Sequence, residues 1–150
     1  MARTLDTKAF LDTVCELLQQ GQTNVTVPVT GSSMVPFLHN GDTVYLNAPP
    51  EKLRKGDVVL YTRNNGDYVL HRIWKVNRDG SMIMVGDAQQ FLETVPSRKR
   101  ICGIAVAALH KNKRISPRCF HWWFYRHVWL WLLPWRYRLM ATRSKKRPLG

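Results

Sequence analysis

Between residues 24 and 108, apolar side chains tend to return at every second position, and this constrains the fold of the 150-residue chain more than any other feature. Val25, Val27 and Val29 alternate with polar residues, and residues 43–46, 58–61, 68–76, 81–85 and 101–109 are further strand-like runs. Successive side chains of a strand point to opposite faces, so a period of two places apolar groups on one face of a sheet. Gly41-Asp42, Asn65-Gly66-Asp67, Asp79-Gly80 and Gly86-Asp87 punctuate the runs. Two of the breaks, Asn64-Asn65-Gly66-Asp67 and Asn77-Arg78-Asp79-Gly80, read as hairpin turns. Many short strands with no intervening helical period predict a mainly β domain, as an all-β sheet or a partly open barrel.

The flanks read differently. Residues 4–20 predict an amphipathic helix with Phe10, Val14, Leu17 and Leu18 on one face. Thr4 or Asp6 can cap its start, and Gly21 sits where a left-handed stop is expected. Residues 111–118 read as a basic hinge ending near Pro117, and residues 119–140 hold five of the six tryptophans. The expected organisation is an N-terminal helix (1–23), a catalytic β domain (24–110) and a basic, aromatic-rich C-terminal segment and tail (111–150).

Charge divides along the same line. Residues 1–93 carry nine Lys and Arg against ten Asp and Glu, whereas residues 94–150 carry fourteen Lys and Arg and no acid. A uniformly basic nucleic-acid-binding domain would not split this way, and no specific nucleic acid is expected as a partner. Tryptophans among cations suit a membrane interface, so residues 119–147 are expected to meet an anionic membrane surface. No run of about 18 apolar residues is present to span a bilayer. No secretory signal is read at the N-terminus, so a peripheral or monotopic association on the cytoplasmic side is expected. Cys15, Cys102 and Cys119 are odd in number, widely spaced and free of any C-x-x-C pattern, which argues against a disulfide framework or structural zinc. No metal or cofactor is expected.

Three short stretches carry the chemistry. The first is Gly31-Ser32-Ser33-Met34-Val35-Pro36-Phe37-Leu38, followed by His39-Asn40-Gly41-Asp42. A sharp turn of small residues can expose a hydroxyl, here that of Ser33, and Gly31 allows close approach of a carbonyl. A serine hydroxyl becomes a nucleophile only with a base to take its proton and N–H groups to hold the oxyanion. The second stretch is the Gly56-Asp57-Val58-Val59 strand with its return, Tyr68-Val69-Leu70-His71-Arg72-Ile73, which carries His71 towards the core. The third is Val85-Gly86-Asp87-Ala88, where a carboxylate can orient an imidazole. Taken singly, each is an ordinary loop serine, core histidine or Asx turn.

In this order and spacing, the three stretches resemble the type I signal peptidase family over roughly residues 24–108. They are most similar to its histidine-bearing branch, typified by the endoplasmic-reticulum and archaeal enzymes. The resemblance implies a signal-peptidase/LexA-like β-rich catalytic fold flanked by the two helical segments. It also implies a serine endopeptidase in which Ser33 is the nucleophile, His71 the general base and Asp87 the orienting acid. The Gly31 and Ser33 backbone would serve the oxyanion, and small side chains near the scissile bond of a peptide or preprotein substrate would be preferred. Two positions depart from the family pattern. Glu93 stands where an accessory Asp is usual, and Phe37 where a Thr commonly follows the Pro. His39 is a weaker alternative base, since it lies in a turn and matches no family position. An imidazole of ordinary pKa is already largely neutral at pH 7, so the chemistry needs no large shift at His71. A LexA-type self-cleaving repressor is a competing expectation, set back by the absence of a lysine at position 71 and by only 23 residues before the sheet. A catalytically idle peptide-binding module at a membrane is another.

Overall fold

The computed structural model describes residues 2–88, 92–132 and 135, with side chains from Thr7 onward. The Thr4 or Asp6 cap and the Lys145-Lys146-Arg147 tail fall outside those limits. Helix α1 (Ala2–Gln19) leads into strands β1 (Val25–Pro28), β2 (Thr43–Asn47), β3 (Val58–Thr62), β4 (Tyr68–Val76), β5 (Met82–Val85), β6 (Leu92–Val95), β7 (Ile101–His110) and β8 (Lys113–Ile115). Helix α2 (Phe120–Phe124) follows and continues as a π-helical turn, Tyr125–Trp129. The strands form a sheet of order β1-β2-β7-β3-β4-β5-β6, with β8 on β7, and the pairings are antiparallel. The fold is mainly β, as the period-two pattern predicts.

Two strands are additional to those read from sequence. The stretch expected to be a basic hinge is the β7–β8 hairpin, in which Lys111 and Asn112 take left-handed φ values of 47° and 64°. Two successive left-handed residues match the twist of antiparallel strands, as in a type I′ turn. In β8 only Ile115 is buried, and in β6 only Val95, so neither strand shows a clear apolar rhythm.

Both faces of the central strands are covered. Val58 and Leu60 of β3 join a core with Val27, Val29, Phe37 and Leu38, while Val59 and Tyr61 join a second with Ile73, Met82 and Met84. This double coverage makes β3 read as a continuous apolar run rather than an alternation. Helix α1 buries Val14 and Leu18 against the first core. Phe10, expected on the same face, is instead 45 % exposed. The close approach of α1 depends on Gly103 in β7, where an added Cβ would lie 2.8 Å from Leu18 Cδ1 and 3.2 Å from the Asn47 carbonyl oxygen. Beside this seam the Cys102 thiol reaches the Arg100 carbonyl at 3.9 Å.

The C-terminal segment packs on the domain along one side. Trp122, Tyr125 and Leu130 are buried, whereas Phe120, Trp123 and Trp131 are exposed. Each large apolar side chain buried in this way contributes roughly 1.5–3 kcal/mol. The segment expected to meet a membrane surface thus also packs part of its aromatic side on the domain. Arg126 crosses Gly56 to bond Asp57 Oδ1 at 2.8 Å. A Cβ at Gly56 would meet Arg126 Cγ at 2.6 Å, and Gly56 also holds a left-handed φ of 95°.

Gly103→Val should destabilise the fold by about 1–3 kcal/mol through overpacking at the α1–β7 seam. In urea titrations, the Leu18→Ala/Gly103→Val double variant should lose less stability than the two single losses summed. Simple additivity would mean that the seam is not tight there.

Candidate active site

The Ser33 turn is tied down at both ends. Val29 N–H donates to the Asp42 carbonyl at 2.8 Å, and Gly41 N–H returns a bond to the Val29 carbonyl at 2.9 Å. Gly31, at a left-handed φ of 82°, donates its N–H to Asn40 Oδ1 at 3.1 Å. That N–H is therefore engaged, which corrects the expectation that Gly31 serves an oxyanion. The Ser33 N–H makes no protein hydrogen bond among the described residues. Ser33 is half-buried, and its carbonyl accepts the Ala88 N–H at 2.8 Å. Strand β5 stops pairing with β4 at Arg72–Val85, and the Gly86-Asp87-Ala88 turn leads from there to Ser33.

Ser33 borders an apolar cleft of about 390 Å³. Val27, Val29 and Met34 line it with Leu60 and Leu70, and Phe10 and Leu11 of α1 form another wall. The exposed Phe10 thus faces the cleft rather than the core.

Neighbouring residues of β4 serve opposite faces. Arg72 is fully buried and lies over the Phe37 ring, with its guanidinium carbon 4.7 Å from the centroid. It donates from Nε and Nη2 to the two oxygens of Asp87 at 2.9 and 2.8 Å, and from Nη1 to the Gly56 carbonyl at 2.9 Å. Strand alternation turns His71 the other way, into the group containing Val59, Tyr61 and Ile73. Its Nδ1 lies 3.2 Å from Tyr61 Oη. The expectation that Asp87 orients the imidazole is corrected for this reason: Asp87 belongs to the Arg72 face, and the group that reaches His71 is Tyr61.

The Tyr61 hydroxyl donates to Glu93 Oε2 at 2.8 Å, and Arg63 Nε donates to the same carboxylate at 2.8 Å. With its one proton given to Glu93, the Tyr61 oxygen can only accept from His71. The imidazole proton is thereby assigned to Nδ1, and Nε2 keeps its lone pair. Burial, then the charge of Arg63, lowers the His71 pKa to about 4, with Glu93 opposing. The neutral ring expected at pH 7 is present, though by a large shift that the sequence reading did not require. Burial raises the Glu93 carboxyl, but its bonds to Arg63 and Tyr61 outweigh this and leave it below its usual value. Burial and Glu93 push the Tyr61 phenol well above its own. An unfolded histidine near 6.5 binds a proton that folded His71 refuses until about pH 4. Stability from this group is therefore full above 6.5 and is lost as pH falls towards 4.

The structure thus brings Ser33, the β4 strand and the Gly86-Asp87-Ala88 turn together. It does not join Ser33 to His71 by a hydrogen bond among the described residues. His39 donates its backbone N–H to Asp42 Oδ2, and its ring lies 5.0 Å from that of His110, which bonds Asp42 Oδ1 at 2.6 Å. Tyr61 and Arg63 escaped the sequence reading. The hairpin register Val59↔His71 was the available signal, since it sets Tyr61 diagonally across from His71.

An antiparallel sheet with a serine on a tight turn, beside a strand carrying a buried imidazole, is a serine-peptidase-like architecture. The chain belongs to the Peptidase S24-like family, whose model matches residues 3–106. That match supports the signal-peptidase/LexA-like superfamily without singling out its histidine-bearing branch. A search of curated proteins and a search of solved structures each returned no match.

Asp87→Ala would strand the buried Arg72 charge and should cost about 3–5 kcal/mol in urea unfolding. An Arg72→Met/Asp87→Leu pair should cost clearly less. Equal losses would mean that the pair's packing, rather than its charge balance, holds the turn.

Proposed function

We propose that the chain is a serine endopeptidase that removes signal or leader peptides by Ser–His acyl-enzyme chemistry, as in the histidine-bearing branch of the type I signal peptidases. The observation that carries this reading is the His71–Tyr61–Glu93 chain, which leaves Nε2 a base on the strand beside the Ser33 turn. An extended peptide lies along the apolar cleft, with Val27, Val29, Leu60 and Leu70 receiving its side chains. Val69, which shares the His71 face of β4, lines the same cleft as Ser33, so in this reading the Ser33 hydroxyl and His71 Nε2 close their hydrogen bond at the cleft edge as substrate seats, as catalytic contacts commonly do. His71 takes the hydroxyl proton as Ser33 attacks the scissile carbonyl. The Ser33 N–H holds the oxyanion. The imidazolium that forms is stabilised through Tyr61 by the Glu93 carboxylate, in the role that Asp87 was expected to fill. Protonated His71 then releases the amine, and water activated by the same nitrogen frees the acyl-enzyme. The catalytic unit in this reading is residues 24–110, with Ser33 and His71 as catalytic residues and Tyr61 and Glu93 as positioning residues.

A fluorophosphonate probe should label the wild-type chain at Ser33, with no labelling of Ser33→Ala or His71→Ala and full labelling of His39→Ala. Precursor peptides encoded beside its gene are the substrates to try. Labelling of Ser33→Ala equal to wild type would end this reading. Tyr61→Phe should lower kcat/KM on the order of 100-fold by releasing the imidazole tautomer. The acid limb of kcat/KM should fall with a pKa near 4, where His71 gains its proton. A limb near 6.5 would mean that the titrating base is a solvated imidazole.

A further inference from the structure

Residues 119–132 lie beyond the matched family region, which ends at residue 106. Their inner side is firmly held. Trp122 and Leu130 are buried, Arg126 bonds Asp57 at 2.8 Å, and Trp129 Nε1 donates to the Asp87 carbonyl at 3.0 Å. Their outer side carries Phe120, Trp123 and Trp131, exposed by 74 %, 48 % and 77 %. Phe120 and Trp123 stack with centroids 5.9 Å apart, and water makes exposed large rings costly unless another phase or partner covers them. The approach to the segment is basic: Lys111, Lys113, Arg114 and Arg118 are exposed, and residues 94–150 contain no acid to neutralise them.

We propose that this outer side is a docking surface for anionic phospholipid, with Phe120, Trp123 and Trp131 entering the headgroup region and the neighbouring cations meeting lipid phosphate. Charge chooses this occupant. A second copy would set one basic surface against another, whereas an anionic bilayer offers phosphate for the cations and an apolar layer for the rings. Indole rings suit the bilayer interface, with an apolar body and a polar N–H. Among the described residues no helix is long and apolar enough to cross a membrane. The segment therefore lies on the surface as an anchored ridge, and its grip on Asp57 and Asp87 carries the docked face to the Ser33 turn. This surface stands independently of the peptidase reading, and its test needs no catalysis.

The full-length chain should float with phosphatidylglycerol-rich vesicles and bind them at least about tenfold more tightly than phosphatidylcholine vesicles. Phe120→Ser/Trp123→Ser/Trp131→Ser should weaken that binding about tenfold or more with an unchanged thermal midpoint. If the triple variant unfolds, Trp131→Ser alone replaces it and should weaken binding measurably. Undiminished vesicle binding by the folded variant would overturn the proposal. So would equal binding to the two lipids, tighter binding to a single-stranded oligonucleotide than to anionic vesicles, or self-association that the variant abolishes. Fluorophosphonate labelling of the same samples reports on Ser33 separately.

Discussion

The buried ion pair between Arg72 and Asp87 is the point on which the rest of this structure turns. Both side chains are fully shielded from water. Removing two charges from water costs several kcal/mol per ion, and their attraction offsets this only when the geometry is good and the remaining donors are satisfied. Both conditions hold here: the contact is bidentate, and the Gly56 carbonyl takes a third guanidinium proton. Such a pair is better understood as a positioning device than as a source of stability. It fastens the Gly86-Asp87-Ala88 turn to β4, and Ala88 in turn fastens Ser33. Phe37, from the serine stretch itself, supports the guanidinium from its ring face.

The pair also decides what His71 can do. Adjacent strand residues cannot share a face, so placing Arg72 against Asp87 sends the imidazole to the opposite core. There it needs a partner of its own, which Tyr61 and Glu93 supply. The carboxylate stands one hydroxyl away from the ring instead of touching it. A tyrosine between them fixes the tautomer while keeping the Glu93 charge near Arg63 and partly solvated. Hence burial outweighs attraction at the imidazole, and its pKa moves down rather than up.

What was legible in the sequence follows from these same rules. The β1 to β5 and β7 runs were visible because each has at least one face buried by apolar side chains. Strands β6 and β8 were not, since they pair by backbone bonds and bury little beyond Val95 and Ile115. Ser33 and His71 stood out through motif order, which reports chain spacing. Asp87 was read as the partner of His71 because spacing alone does not say which face a carboxylate serves. Glu93 was noted as a departure, and its link through Tyr61 needed the β5–β6 register, which brings it opposite Met84. Residues 119–132 were read for their outer face, because tryptophan beside arginine says nothing about which ring points inward.

Phe37 connects that segment to the Ser33 turn. The resemblance to type I signal peptidases implies a threonine after the motif proline, and here a phenylalanine is almost wholly buried. Its ring meets Trp122 edge-on at 5.1 Å, Tyr125 at 5.3 Å and His121 at 5.6 Å. Phe37 is thus a socket for the C-terminal segment within the serine stretch. A threonine at this position would leave Trp122 without its edge-on partner and Arg72 without its ring. Phe37 and the aromatic segment therefore form one packed unit, and through Arg72 and the Asp87 carbonyl that unit converges on the residues that hold Ser33.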